Sequence, residues 1–359
     1  MAKTGTFTLV EVSGRPFEMG KAIGTKCAAK AIAYRKSIAA SIKHSTGVDW
    51  AAAVGRAKDY LPYAEEFHPN FVEQIKGYSE GANMPFADAF TLMCHELLSA
   101  PGLKGCTDIA VSGDMTEDGS VLVAHNEDFT PEQLWMVVLL HCKPKGRPEI
   151  LTTAYAGLFQ SCGMNSSGIS VTGNALDQND ARVGIPKSFP PIKAMDARRI
   201  GEALEWAMPS ARASSYNNIV SDKNGEIYSL EGSATDCAWI YASDGYIVHT
   251  NHYVAEKMLR YEADRSAAAL ATSTLRYNRA LRLIEDQSGA VTVDSLQEIL
   301  SDHVNKPGSI CRHADPGLHP LDLSETVFSV IFDLSHLTAY VCRGKPCVGS
   351  YSKFSLKKD

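Results

Sequence analysis

The sequence lacks the features of a nucleic-acid-binding or membrane-spanning protein. Its 35 basic and 41 acidic side chains give a net charge of −6, and it contains no basic block that could follow a phosphate backbone. No apolar run reaches the roughly 18 residues that span a bilayer, since even the stretch 135–140 is followed at once by His141 and Lys143. We therefore expect neither a nucleic acid nor a membrane as a partner.

The cysteines do not form the dense, even-numbered framework of a small secreted domain. The nine of them are spread along the chain: Cys27, Cys94, Cys106, Cys142, Cys162, Cys237, Cys311, Cys342 and Cys347. The first residues also lack the basic region followed by an apolar region that marks a secretion signal. These absences predict a soluble protein of a reducing compartment, the cytoplasm.

The chain has neither an internal repeat nor a low-complexity linker, and its composition is that of a folded protein. Hydrophobic residues make up 45% and charged residues 21% of its 359 positions, which excludes wholesale disorder. Apolar positions have helical spacing in residues 20–98, whereas short β-rich runs separated by turns follow Cys106. Two helical candidates, residues 194–207 and 272–286, interrupt these runs. The pattern predicts an α+β protein built in layers.

The dipeptide Gly105-Cys106 lies where the helical part of the sequence meets the strand-rich part. A residue without Cβ at this point would allow a strained backbone and a close approach of the thiol to the preceding carbonyl. An acyl shift from nitrogen to sulfur, followed by hydrolysis, would then free the α-amine of Cys106. With a pKa of about 7.7–8.0, that amine can act as the base for its own thiol. The alternative is a turn followed by a buried core cysteine, which the dipeptide alone favours.

Seven segments in order along the chain carry a resemblance to a known family. They are Gly14-Arg15-Pro16-Phe17-Glu18-Met19-Gly20, Glu73-Gln74-Ile75-Lys76-Gly77 with Gly81-Ala82, Gly105-Cys106-Thr107, Asn126-Glu127-Asp128-Phe129, Gly163-Met164-Asn165-Ser166-Ser167-Gly168 with Asn174-Ala175-Leu176, His249-Thr250-Asn251-His252, and Ser309-Ile310-Cys311-Arg312. Together they resemble the acyl-coenzyme A:6-aminopenicillanic acid acyltransferases, or isopenicillin N acyltransferase-like proteins, which are N-terminal nucleophile hydrolases.

The resemblance implies a four-layer αββα sandwich and a proenzyme that cleaves itself between Gly105 and Cys106. Residues 1–105 would become a mostly helical α chain, and residues 106–359 a strand-rich β chain. The two chains would stay associated as one αββα domain.

The same resemblance implies roles for four side chains. Cys106 would be the nucleophile, and Asp128 with Arg312 would be the charged pair that organises the site. Asn251 would donate its amide to the oxyanion of the tetrahedral intermediate, where losing one such donor typically costs about 10²–10³ in rate. Positive charge from Arg312 would lower the thiol pKa while Asp128 holds the guanidinium in place.

Two of these residues also have purely structural interpretations. Asp128 could cap or turn a loop before Pro131, and Asn251 could tie down the backbone of a loop. The residues by themselves leave both interpretations open.

No cofactor or metal ion is expected. His249 and His252 could form half of a metal site, but its other half would have to come from Cys311-Arg312-His313. That combination lacks the ligand spacing of a typical zinc site.

The sequence departs from the penicillin-forming members of the family. Glu127 stands where those members carry an aromatic residue, and the C-terminus lacks a peroxisomal tripeptide. We therefore predict a self-processing cysteine amidohydrolase or acyltransferase acting on amide or thioester bonds of small N-acylated amines or amino-acid derivatives. The alternatives are an unprocessed hydrolase that pairs Cys106 with His252 or His125, and a catalytically silent binding scaffold.

Overall fold

The computed structural model describes residues 6–100 and 105–356. The α-helices of the described chain are α1 (Pro16–Thr46), α2 (Trp50–Ala57), α3 (Leu61–Phe67), α4 (Pro69–Gly81), α5 (Phe86–Leu98), α6 (Phe189–Ala194), α7 (Ile200–Ala207), α8 (Ala267–Glu285) and α9 (Val293–Leu300). Its strands are β1 (Leu9–Gly14), β2 (Gly105–Val111), β3 (Leu122–Phe129), β4 (Val137–Pro144), β5 (Ile150–Tyr155), β6 (Phe159–Asn165), β7 (Ile169–Ala175), β8 (Tyr216–Asp222), β9 (Ile227–Gly232), β10 (Cys237–Tyr241), β11 (Tyr246–His249), β12 (Glu325–Asp333), β13 (Thr338–Arg343) and β14 (Tyr351–Ser355).

These strands form two sheets that pack face to face between layers of helices. The eight-stranded sheet has the order β1-β4-β5-β6-β7-β8-β9-β10, and the six-stranded sheet has the order β11-β2-β3-β12-β13-β14. Helix α1 contacts β1 and β4, β2 contacts β7 and β8 of the opposite sheet, and α8 and α9 cover β2, β3, β11 and β12. The four-layer αββα order that the sequence resemblance implied is confirmed.

Successive residues of the two central strands point to opposite faces of the six-stranded sheet. In β3, Val123 packs between the sheets, whereas Leu122 and Ala124 pack in the core under α8 and α9. In β2, Ala110 lies between the sheets and Ile109 lies in the core under the helices. This alternation decides which side chains near the start of β2 can meet each other.

Helices α1 and α4 cross at a contact made by four glycines. A Cβ at Gly20 would lie 1.9 Å from the Gln74 carbonyl oxygen, and one at Gly77 would lie 2.0 Å from the Phe17 carbonyl oxygen. A Cβ at Gly24 or at Gly81 would likewise lie 2.2 Å or 2.1 Å from a backbone carbonyl oxygen of the other helix. The two backbones approach so closely that only glycine fits at these positions.

The helix predicted over 272–286 is observed as α8, but the single helix predicted over 194–207 is wrong. The chain instead forms α6 and α7, separated by a turn. In that turn the Asn165 side-chain amide donates to the carbonyl oxygens of Met195 at 2.9 Å and Ala197 at 2.8 Å. A continuous helix would need carbonyls of this kind for its own hydrogen bonds.

The segments before and after Cys106 share one sheet. Strand β1, from the first segment, runs parallel to β4, with Leu9 opposite Leu139 and Gly14 opposite Pro144. None of the described helices is long and apolar enough to cross a lipid bilayer.

We predict that Gly77→Ala destabilises the protein, because its methyl group would collide with the α1 backbone. The expected loss is about 1–3 kcal/mol in the free energy of unfolding, measured by urea denaturation. Gly55→Ala in α2 is the matched control, since a Cβ there meets nothing within 4 Å. The control should be neutral or slightly stabilising. Equal effects of the two substitutions would contradict the glycine contact.

Candidate active site

Cys106 is the second residue of β2, and it is almost completely buried. Its backbone N–H donates to Asn251 Oδ1 at 2.9 Å, and its carbonyl oxygen accepts from Arg276 Nη1 at 2.5 Å. Its thiol lies between the sheets, where it donates to Glu127 Oε2 at 3.7 Å. The backbone and side chain of this residue are thus held by three different parts of the chain.

Gly105 pairs with Asp128 across β2 and β3. The backbone here is ordinary strand, outside the positive-φ region, so a positive φ is not what requires glycine at this position. The reason for glycine is space. A Cβ at this position would lie 2.7 Å from Asp128 Oδ2 and 3.2 Å from Arg312 Nη2.

The structure brings Asp128 and Arg312 into contact. Arg312 Nε donates to Asp128 Oδ2 at 3.0 Å, and Thr326 Oγ1 donates to Asp128 Oδ1 at 2.7 Å. Burial raises the pKa of Asp128 above its usual value, and the positive charges of Arg312 and Arg276 offset this only in part. The predicted charged pair therefore lies directly beside Gly105.

Asn251 turns its amide oxygen, not its NH2 group, toward Cys106. Oδ1 accepts from the Cys106 N–H and from Arg276 Nη2 at 2.8 Å, while Nδ2 donates to the Ala175 carbonyl at 3.2 Å. The Asn251 backbone N–H is fixed by Ser273 Oγ at 2.8 Å. Its predicted role as an oxyanion donor needs the NH2 group and stays a prediction.

Arg276 is a site residue that the sequence analysis missed. Besides Cys106 and Asn251, its guanidinium contacts Thr107 Oγ1 at 2.9 Å. Burial lowers its pKa to about 10, so it remains a cation at neutral pH. A signal was present in the sequence: Arg276 belongs to the buried stripe of α8, with Ser273 and Ala280, where a charged residue is out of place unless it has partners.

A second charged group lies on the inter-sheet side of Cys106. His125 Nδ1 is 2.8 Å from Asp108 Oδ1, and its Nε2 is 2.9 Å from Glu127 Oε2. Burial by itself would lower the pKa of His125, but the two carboxylates outweigh it and hold that pKa well above its usual value. Glu127 also accepts from Ser161 Oγ at 2.9 Å.

The thiol of Cys106 is neutral in this environment. Burial raises its pKa well above the usual value, and the negative charges of Glu127, Asp108 and Asp128 raise it further. From the sequence, Arg312 was expected to lower this pKa. In the intact chain the carboxylates and the loss of solvent dominate instead.

Neither histidine of the Cys–His alternative is paired with the thiol. Both ring nitrogens of His125 face carboxylates, and His252 Nδ1 lies 2.9 Å from Ser273 Oγ. His249, which could form half of a metal site together with His252, is hydrogen-bonded instead through Nε2 to Glu231 Oε1 at 2.8 Å.

Three cavities among the described residues adjoin the site, and the largest of them, about 400 Å³ in volume, is lined in part by Asn251, Arg276 and Arg312. The one beside the Cys106 thiol is about 30 Å³ in volume, and its polar lining includes Glu127, Ser161 and Tyr216. Another cavity, of about 150 Å³, shares Ala175 with it and is lined in part by Asn251, Lys187 and Arg265. Besides these polar groups, the apolar residues Phe159, Ala175 and Pro191 line the cavity beside the thiol.

The family profile described as "Acyl-coenzyme A:6-aminopenicillanic acid acyl-transferase" matches residues 115–347. The chain belongs to this family. The matched part contains Asp128, Asn251, Arg276 and Arg312 but begins after Cys106, so the assignment of Cys106 as the nucleophile stays a prediction. Membership supports an enzyme that transfers or hydrolyses acyl groups.

Solved structures with similar folds include a mutant of conjugated bile acid hydrolase from Clostridium perfringens. It is 11% identical, with a TM-score of 0.48, over 70% of this chain and 97% of that one. Penicillin V acylase from Agrobacterium tumefaciens is 10% identical, with a TM-score of 0.43, over 66% of this chain and 83% of that one. A comparison with curated protein sequences finds no match.

We predict that Gly105→Ala pushes apart the Asp128–Arg312 pair and lowers the free energy of unfolding by about 1–3 kcal/mol. The measurement is urea denaturation in a Cys106→Ala background, so that every variant has the same chain state. Gly201→Ala, where a Cβ meets nothing within 4 Å, is the control. A Gly105→Ala protein as stable as its control would show that the pair has room to move.

Proposed function

We propose that the protein is a self-processing cysteine amidohydrolase or acyltransferase whose nucleophile is Cys106. The observation that carries the proposal is the position of the Cys106 peptide nitrogen. It is held by Asn251 Oδ1, one residue after a glycine that fits against Asp128 and Arg312. Cleavage before Cys106 would turn this nitrogen into an α-amine that already has an acceptor.

Self-cleavage begins when the Cys106 sulfur attacks the Gly105 carbonyl carbon. Glu127, whose carboxylate the thiol contacts at 3.7 Å, takes the thiol proton. The proton then passes to the Cys106 nitrogen as the C–N bond breaks and a thioester forms. Water hydrolyses the thioester, which leaves a carboxylate on Gly105 and a free thiol and amine on Cys106.

The mature enzyme uses the new amine as its base. With an ordinary pKa of about 7.7–8.0, the amine accepts the thiol proton at neutral pH, and the sulfur attacks the substrate carbonyl. Cleavage of the Gly105–Cys106 bond places the amine next to the strand position opposite Asp128, whose carboxylate Arg312 holds. Arg276 keeps the Cys106 carbonyl and Asn251 aligned with this group.

The two cleaved chains stay together. Strand β1 of the first chain remains paired with β4 of the second, and α1 packs on both strands. Separating the chains would expose a sheet edge and the buried face of α1, which the hydrophobic effect opposes.

The substrate is a small N-acylated amine, amino-acid derivative or acyl thioester. The cavity beside the thiol is small, and Glu127, Ser161 and Tyr216 make part of its lining polar. A cavity of this size favours a short acyl group over a long one. Hydrolysis and transfer share the acyl-Cys106 intermediate, and the acceptor that the site holds decides between them.

The mass of the purified protein under denaturing conditions tests this proposal. We expect two fragments divided between Gly105 and Cys106, and we expect Cys106→Ala to give one full-length chain. Cys142→Ala is the matched control, because Cys142 is equally buried in a strand but has Arg147 and Asp196, not the site residues, as its charged neighbours. It should cleave normally and keep activity toward a panel of N-acyl amines and acyl thioesters.

Two results would contradict the proposal. An intact parent chain that is active would favour an unprocessed cysteine hydrolase, because no α-amine would exist at Cys106. An intact parent chain that is inactive toward the whole panel would favour a silent binding scaffold.

We predict that Arg276→Lys slows self-cleavage by at least about tenfold. Lysine keeps the charge but cannot contact Cys106, Thr107 and Asn251 together as the planar guanidinium does. The measurement is the fraction of cleaved chain against time after synthesis in vitro. Arg282→Lys, on the exposed side of the same helix, should match the parent. Equal cleavage rates would remove Arg276 from the reaction.

A further inference from the structure

Two histidines and two cysteines meet away from the proposed catalytic centre, at the loop after α9 and the segment after β13. They are His303, Cys311, His313 and Cys347. The two Nε2 atoms are 3.0 Å apart, and His313 Nε2 lies 3.9 Å from the Cys311 Sγ and 3.6 Å from the Cys347 Sγ. All four potential ligand atoms lie within 4.8 Å of one another.

The three distances from His313 Nε2 are close to the edges of a zinc coordination tetrahedron. Zinc binds histidine nitrogen at about 2.0–2.1 Å and cysteine sulfur at about 2.3 Å, which gives a nitrogen–nitrogen edge of about 3.3 Å and nitrogen–sulfur edges of about 3.6 Å. The observed separations of 3.0, 3.6 and 3.9 Å need shifts of only a few tenths of an ångström. Two imidazoles and two thiolates also form a common structural zinc set.

The backbone around the four side chains is already organised. The Cys311 N–H donates to the Asp302 carbonyl, and the His313 N–H donates to the Pro307 carbonyl, both at 3.0 Å. Cys311 is fully buried, while His303 is exposed, so one ligand closes the site from the solvent side. The loop therefore presents its donors before any ion arrives, and it leaves a route of entry.

We propose that His303, Cys311, His313 and Cys347 bind one structural Zn²⁺ ion. Four protein ligands fill the tetrahedron and leave no position for a substrate, so the ion stabilises the fold and takes no part in the acyl chemistry. It joins the loop after α9 to the segment after β13. This proposal is independent of the proposed function.

The site also has a consequence for the charged pair at Gly105. Arg312 lies between the ligands Cys311 and His313, and its side chain reaches Asp128. A metal bound on both sides of Arg312 would fix the backbone from which that side chain extends. Arg312 would thus be positioned by the ion without touching it.

Metal analysis of the full-length protein, purified without chelator under reducing conditions, tests the proposal. We expect elemental mass spectrometry to find about one zinc ion per chain. Cys347→Ser and His303→Ala should each lower the zinc content at least about tenfold. Because the His303 side chain is exposed, its loss should not unfold the protein, so His303→Ala separates metal loss from misfolding. Two control variants should keep the metal, Cys237→Ser and His319→Ala. Cys237 is a cysteine outside the cluster, and His319 belongs to a separate group with His44 and Asp322.

Cobalt gives a second readout that does not depend on activity. Co²⁺ added to the zinc-free reduced protein should produce the absorption of a tetrahedral site with thiolate-to-metal charge transfer, and Cys347→Ser should weaken it. The proposal is overturned if the parent binds neither metal, if Cys347→Ser or His303→Ala retains full metal, if His319→Ala loses it, or if a Cys311–Cys347 disulfide persists under reducing conditions.

Discussion

The pairing of β2 with β3 is the constraint on which the candidate site depends. It places Gly105 opposite Asp128, Cys106 opposite Glu127, and Asp108 opposite His125. Because side chains alternate along a strand, a slip of one residue would move every one of these groups to the other face of the sheet. The buried cores on both faces, between the sheets and under α8 and α9, oppose such a slip. Packing thus specifies the register, and the register specifies the chemistry.

The site also depends on burying charges in matched sets. On the helix side of the sheet, Arg276 and Arg312 surround Asp128, and between the sheets His125 lies between Asp108 and Glu127. Each buried charge therefore has a partner, without which burial would cost several kcal/mol. The thiol contacts only the second set, whose carboxylates raise its pKa. An uncleaved chain of this kind holds its proposed nucleophile neutral, which suits a precursor.

Much of the architecture was predictable because it rests on local patterns. The spacing of apolar residues predicted the change from helical to strand-like periodicity near Cys106 and a helix over residues 272–286, which is observed as α8 over residues 267–285. The helix predicted over 194–207 failed because Asn165, thirty residues away, takes the carbonyls of Met195 and Ala197. The periodicity of apolar residues predicts which face of a local segment is buried and which is exposed. It carries no information about a hydrogen bond from a distant strand.

The sequence by itself determined the family resemblance, the layered α+β class and the candidate residues Cys106, Asp128, Asn251 and Arg312. Only the tertiary structure decided how they meet. It turned the amide oxygen of Asn251 toward the Cys106 nitrogen, and it brought in Arg276 from α8. It also gathered two cysteines and two histidines that are up to 44 positions apart into one cluster. The physical reason is that propensity and periodicity act over a few residues, whereas a site is made by distant segments that packing and buried charge force together.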